Sequence, residues 1–115
     1  MGVDRVRSMY KLFELTPEGE VKTLFHGVNG SRSMQVGEMY HSERKEVSDG
    51  TNGTRYTSGF HCLPTFKDAS SYRRRFTALH RTIAIFEVAA FNTRPKAHSR
   101  DPVFLADSVM ILGEA

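Results

Sequence analysis

The chain is 115 residues long, a length typical of one domain, which excludes a multidomain enzyme. Its 39% hydrophobic and 25% charged residues are enough for a core and exclude a disordered chain. The formal net charge is +3. The charged N-terminus lacks the apolar segment of a signal peptide, no stretch is apolar enough to cross a membrane, and the single cysteine, Cys62, excludes an internal disulfide. These features predict a cytoplasmic protein that does not bind a membrane.

The first half of the chain predicts short strands separated by turns. Residues 1–8 are expected to form a flexible extension, and residues 9–115 the single domain. Alternating apolar residues predict four strands, over residues 9–15, 21–25, 34–40 and 44–47. Pro17 and Gly19 make a hairpin turn between the first two strands. Two further turn signals, Asn52-Gly53 among them, predict a loop over 48–54.

The second half predicts one helix between two strong strands. A strand over 56–63 leads into a helix from Thr65 to His80, with Thr65 as N-cap and Asp68 completing a capping box. Helical spacing places five apolar side chains on one face, namely Phe66, Ala69, Tyr72, Phe76 and Leu79.

Residues 82–91 form the strongest predicted strand, and because it is apolar on both faces we expect it in the centre of a sheet. A basic loop over 92–102 precedes the last strand, 103–112, which is expected to break near 106–108. The predicted fold class is α+β: a single domain in which a twisted, mostly antiparallel sheet carries one main helix, about 65–80, on one face.

A basic patch lies within this second half. Residues 65–100 hold eight Lys or Arg and only Asp68 and Glu87 as acids. The predicted partner-binding residues are Lys67, Arg73, Arg74, Arg75, Arg81, Arg94, Lys96 and Arg100. A seven-residue spacing places Lys67, Arg74 and Arg81 on the helix face opposite the core. Such an arrangement suits contacts with phosphates. A solvated helix face is the alternative interpretation, and Arg73, near the apolar face, is expected to pair with Asp68, Glu87 or Asp107.

Cys62 and the histidines are the other chemically distinctive residues. Cys62 lies just before the predicted helix start, where a thiol pKa falls, so it is a candidate nucleophile, with a buried small hydrophobe as the alternative. His61 is its neighbour on a strand and points to the other face, so it cannot act as its base. The five histidines lack the spacing of metal ligands, and neither a metal nor a cofactor is expected.

The run Ser58-Gly59-Phe60-His61-Cys62, followed by a proline and then by Ala69 and Tyr72, resembles a pattern in small uncharacterised proteins of phages and bacteria. In those proteins a Gly-Phe-His strand leads into a short helix and the chain closes on a strand matched here by residues 106–112. The resemblance covers about residues 34–112 and implies a phage or mobile-element type of protein without implying an activity.

More distantly, a glycine- and aromatic-containing strand that leads into this helix resembles the NAD-binding half of ADP-ribosyltransferases. The resemblance implies a nucleotide site made of Tyr56, His61, Tyr72 and Glu87. The aromatic and polar groups would hold nicotinamide and ribose, and Glu87 would be the carboxylate that steers the nucleophile. A core position for Tyr72 and a hydrogen-bonded Glu87 are the alternative interpretation.

These observations predict a small accessory protein that acts by binding rather than by turnover, with no catalytic residue. Its partner would be a protein or nucleic-acid complex with an anionic surface, bound through the basic helix and the loops at 48–55 and 92–100. One example is an inhibitor of a nucleic-acid-handling host or defence complex of the anti-CRISPR kind, in the host cytoplasm if the protein is viral. An ADP-ribosyltransferase-like enzyme and a structural virion subunit are the alternatives.

Overall fold

The structure is a computed structural model that describes residues 6–24, 33–42, 46–48, 55–57, 59–79, 82–96 and 99–115. Its strands are β1 (Val6–Leu15), β2 (Val21–Thr23), β3 (Ser33–Met34), β4 (Met39–His41), β5 (Glu46–Ser48), β6 (Arg55–Thr57), β7 (Phe60–Cys62), β8 (Thr82–Phe91), β9 (Arg94–Pro95), β10 (Phe104–Ala106) and β11 (Ser108–Glu114). The helix α1 (Phe66–Arg73) continues into a 3₁₀ helix (Arg74–Leu79). The radius of gyration, 13.4 Å, is that of one compact domain.

The main sheet has six strands in the order β3-β2-β1-β8-β11-β4, and every ladder between its named strands is antiparallel. The strand β8 pairs with β1 over ten residue pairs on one side and with β11 on the other. Its central position confirms the expectation drawn from its two apolar faces. The predicted α+β fold class is also confirmed.

A second set of ladders closes this sheet on itself. The strand β10 pairs with β7, and the chain passes from β10 to β11 through Asp107, whose amide donates to Phe91 O at 3.0 Å. Leu63, directly after β7, pairs with Tyr10 on the side of β1 that β8 leaves open. Ladders join β1 to β8 and β8 to β11, the chain itself continues from β10 into β11, and a ladder joins β10 to β7. The single bridge between Leu63 and Tyr10 completes a path back to β1, as in a small barrel.

Two cores follow from this closure, one on each face of β1 and β8. Alternate residues of each strand supply them, because successive side chains point to opposite faces. The interior core lies within the closed ladders and contains Phe13 and Phe86, whose rings meet edge to face at 5.3 Å. The outer core lies between the sheet and α1, where Ala69 and Tyr72 pack with strand residues that include Ile85.

The N-cap of α1 is as predicted. The Thr65 hydroxyl accepts a hydrogen bond from the Asp68 amide at 3.0 Å, which confirms Thr65 as the N-cap. The Asp68 carboxylate accepts from the Thr65 hydroxyl at 2.8 Å, whereas in a full capping box it would accept from the Thr65 backbone amide. Among the predicted core residues, however, Phe66 is 47% exposed. As the first residue of the helix, it projects back toward the N-terminus, past the turn that packs on the sheet.

The α-helix is shorter than the predicted helix, which was expected to end at His80. The α-helix ends at Arg73 because the Arg74 amide bonds to Ser71 O, three residues back, and the tighter 3₁₀ geometry follows. A seven-residue repeat does not keep one face through 3₁₀ turns, so within the described residues the predicted helical alignment extends only from Lys67 to Arg74. Arg81 itself lies outside the described residues.

Several strand boundaries also differ from those predicted. Residues 6–8 belong to β1 and pair with β8, so they are not an extension, and residues 1–5 lie outside the described residues. The strand predicted over 34–40 is two strands, because Gly37 turns the chain with a φ of +88°. The strand predicted over 56–63 is also two, β6 in a hairpin with β5 and β7 against β10.

The end of the chain divides as expected. The predicted break near 106–108 occurs at Asp107 and separates β10 from β11. The basic segment over 92–102 contains the short strand β9, which pairs with β10. Residues 49–54 of the predicted loop at 48–54 lie outside the described residues. Within the described part of the chain, no helix is long and apolar enough to span a membrane.

Candidate functional site

Two basic segments that are far apart in the sequence meet through one ion pair. Arg75, in the 3₁₀ helix, places its Nε 2.8 Å from Oδ2 of Asp101, in the loop that precedes β10. The Val103 amide donates to Asp101 O at 2.7 Å and the Lys96 amide to Val103 O at 2.9 Å, so backbone bonds hold this loop in shape. The pair therefore places the loop next to the 3₁₀ helix that follows α1.

The exposed cations of this region form what we call the basic surface: Lys67, Arg73, Arg74, Arg75 and Arg100. Lys67 and Arg74 are separated by seven residues, or about 10 Å along a helix axis. This separation slightly exceeds the Debye length of about 8 Å at physiological salt, so the two charges reinforce one another mainly at lower salt. Asp68 and Asp101 are the acids among these elements, so the basic surface keeps a positive charge.

Arg73 does not make the predicted pair with a carboxylate. Its Nη1 atom lies 3.5 Å from the Ile83 carbonyl oxygen, a long hydrogen bond to the start of β8. Asp107 pairs instead with Arg94, at 2.8 Å and partly buried. The register explains this pairing, because the β9–β10 ladder places Arg94 opposite Leu105, two residues before Asp107.

Arg94 is thereby a structural residue at the corner between β10 and β11. A Cβ atom on Gly59 would lie 3.1 Å from Ala106 O and 3.3 Å from Arg94 Nη2, so the chain passes closely beneath the Arg94 side chain. Lys96 is half-buried and its backbone closes the neighbouring loop. Arg94 and Lys96 are therefore less exposed to a partner than the five cations of the basic surface.

The four residues of the predicted nucleotide site lie in different environments. Tyr72 is only 9% exposed and meets Phe76 edge to face at 5.2 Å, which leaves little ring surface for stacking on nicotinamide. Glu87 is half-buried and accepts a hydrogen bond from the Ser8 hydroxyl at 2.6 Å. His61 is half-buried on β7, and the side chain of Tyr56 lies outside the described residues.

Among the described residues, Lys11 is a charged side chain buried in the interior, and the sequence alone did not identify it as a candidate. It is 3% exposed, donates from Nζ to the His61 carbonyl oxygen at 3.0 Å, and lies 5.6 Å from the ring centroids of Phe13 and Phe60. Burial lowers the pKa of this amine below its ordinary value, and the Cys62 thiol partly opposes that effect. The sequence pattern of β1 could have revealed this burial. Side chains alternate along a strand, so Lys11 lies on the same face as the apolar residues Met9 and Phe13.

Cys62 is the buried small hydrophobe rather than a nucleophile. Its side chain lies in the interior core and donates weakly to Phe60 O at 3.7 Å, so it does not face the helix start. Burial raises the pKa of the thiol from 9.0 to about 11, more than the nearby Lys11 lowers it. Such a thiol is protonated and unreactive at neutral pH.

Among the described residues, no group of three or more His, Cys, Asp or Glu side chains lies close enough together to hold a metal ion. No family model, curated protein or solved structure matches the chain. The resemblances to phage proteins and to ADP-ribosyltransferases therefore stay predictions.

Proposed function

We propose that this protein acts by binding nucleic acid, whose phosphates contact the basic surface. The observation that supports the proposal is the ion pair between Arg75 and Asp101, because it joins two cationic segments into one surface. A protein of this size that masks nucleic acid would act as an accessory inhibitor of a nucleic-acid-handling host or defence complex.

The residue types on this surface suit phosphate. Arginine offers several N–H donors in a planar fork and lysine a mobile point charge, and both are the usual phosphate contacts in proteins. Four of the five cations are arginines, and each of the five side chains is exposed. Phosphate contacts alone give affinity that depends strongly on salt and little on base sequence.

The proposal is tested by titrating a fluorescently labelled oligonucleotide with the protein and following its anisotropy at low salt. We expect Lys67→Glu/Arg74→Glu to weaken binding by about tenfold or more, because it replaces attraction by repulsion at two points. Circular dichroism and thermal melting check that both proteins fold alike.

The control is Lys22→Glu, which reverses one cation on β2, outside the basic surface, and its effect is compared with half of that expected for the double variant. Lys22 lies 3.8 Å from Glu20 in an exposed pair, so its loss should cost little stability. We expect its affinity to remain within about twofold of the parent. Absence of binding by the parent, or equal binding by the Lys67→Glu/Arg74→Glu variant, would rule the proposal out.

A further inference from the structure

Phe66 is a large aromatic residue that is exposed to solvent beside the basic surface. Phe66 opens α1 and is 47% exposed, and it directly precedes Lys67. Phe66 and Arg73 are seven residues apart in the same α-helix, so they project from the same side. The exposed ring thus has cations next to it and along its own helix face.

The Phe66 ring is held in position although half of it is open. It meets Tyr10 edge to face, with centroids 6.1 Å apart and planes at 85°. The capped first turn of α1 fixes its backbone. A ring that is restrained before binding loses little conformational entropy when a planar group stacks on it.

We propose, on the basis of the proposed function, that the ligand is single-stranded nucleic acid and that Phe66 stacks on one of its bases. Lys67, Arg73 and Arg74 would contact the neighbouring phosphates. The bases of a duplex are stacked on one another, whereas those of a single strand can turn onto an exposed aromatic ring. Aromatic rings with cations beside them are how proteins bind single strands without reading sequence.

The chain contains no tryptophan, so Phe66→Trp introduces a single tryptophan at the proposed stacking position, which is excited selectively at wavelengths that the four tyrosines do not absorb. This variant is titrated with oligo-thymidine, with a duplex of random sequence, and with inorganic polyphosphate. Stacking on a base quenches tryptophan, so we expect quenching by oligo-thymidine and little by the other two. Leu112→Trp, at a position 48% exposed on β11, is the control and should not be quenched.

Affinity gives the second readout. Phe66→Leu keeps an apolar contact with Tyr10 but removes the ring, and it should weaken oligo-thymidine binding by about 5- to 100-fold. Polyphosphate binding should stay unchanged, and Phe66→Trp should bind oligo-thymidine at least as tightly as the parent. Thermal melting of each variant checks that the fold is retained.

The outcomes separate the two proposals. If Phe66→Leu binds oligo-thymidine as the parent does while Lys67→Glu/Arg74→Glu weakens it, base stacking is wrong and phosphate binding stands. Equal quenching of Phe66→Trp by polyphosphate, or tighter binding of duplex than of oligo-thymidine, also overturns the stacking inference. If the parent binds neither nucleic acid at low salt, the proposed function itself fails.

Discussion

Tyr10 and Leu63 exchange both of their backbone hydrogen bonds, at 2.8 Å from Tyr10 N to Leu63 O and at 2.7 Å in the other direction. In an antiparallel pairing the residue that follows one partner faces the residue that precedes the other, and their side chains point to the opposite face. Those residues are Lys11 and Cys62, both of which are buried. The contact that closes the ladders thus places an amine and a thiol inside the apolar interior.

The burial of Lys11 predicts a pH dependence of stability. The unfolded chain keeps this proton up to about its ordinary pKa of 10.5, whereas the folded protein releases it at lower pH. The unfolded state therefore binds more protons over that interval, and stability rises with pH by up to about 1.4 kcal/mol per pH unit. In Lys11→Met this rise should be absent, as measured by urea unfolding at a series of pH values below about 9.

Above pH 9 the Cys62 thiol acts in the opposite direction, since its pKa is about 11 in the folded protein and near 9.0 when unfolded. The folded state then keeps the proton longer, so stability falls between those pH values. The Lys11 comparison is for that reason made below pH 9. Parallel stability curves for Lys11→Met and the parent would contradict the prediction that folded Lys11 loses its proton in this pH range.

The thiol should be inert while the protein is folded. We expect Cys62 to react with iodoacetamide at pH 8 far more slowly than a free cysteine, because it is fully buried and protonated. In denaturing urea the same residue should react at the rate of a model thiol. Rapid alkylation of the native protein, without loss of its fold, would restore the nucleophile interpretation.

A side chain at Gly59 should destabilise the fold. A Cβ there would lie 3.1 Å from the backbone oxygen of Ala106, which cannot move without disturbing β10. We expect Gly59→Ala to lower the free energy of unfolding by about 1 to 3 kcal/mol, as overpacking does. Gly113→Ala is the matched control, because a Cβ on Gly113 meets nothing within 4 Å. Equal melting temperatures for the two variants would contradict the close approach.

Local patterns predicted the parts of the fold that local interactions decide. The apolar run of β8, the cap at Thr65 and the break at Asp107 all depend on neighbouring residues, and each is present. The division of residues 56–63 between two sheets depends on partners far along the chain, such as β10. No local pattern contains that pairing.

The same limit applies to the candidate site. The surplus of cations could be counted from the sequence. Which of these cations stay exposed for binding depends on their partners in the folded protein. Arg94 forms a partly buried ion pair with Asp107, whereas the ion pair between Arg75 and Asp101 joins the 3₁₀ helix to the loop. The exposure of Phe66 follows from where α1 meets the sheet, which helical periodicity does not specify.

The most direct test of phosphate binding by the basic surface is the salt dependence of affinity for oligo-thymidine. Each lysine or arginine that neutralises a phosphate of a single strand contributes about 0.7 to the slope of log K against log salt. We predict that the slope falls by about that amount in Lys67→Gln and again in Lys67→Gln/Arg74→Gln, and that it is unchanged in Lys22→Gln. Equal slopes in all four proteins would contradict binding through this surface.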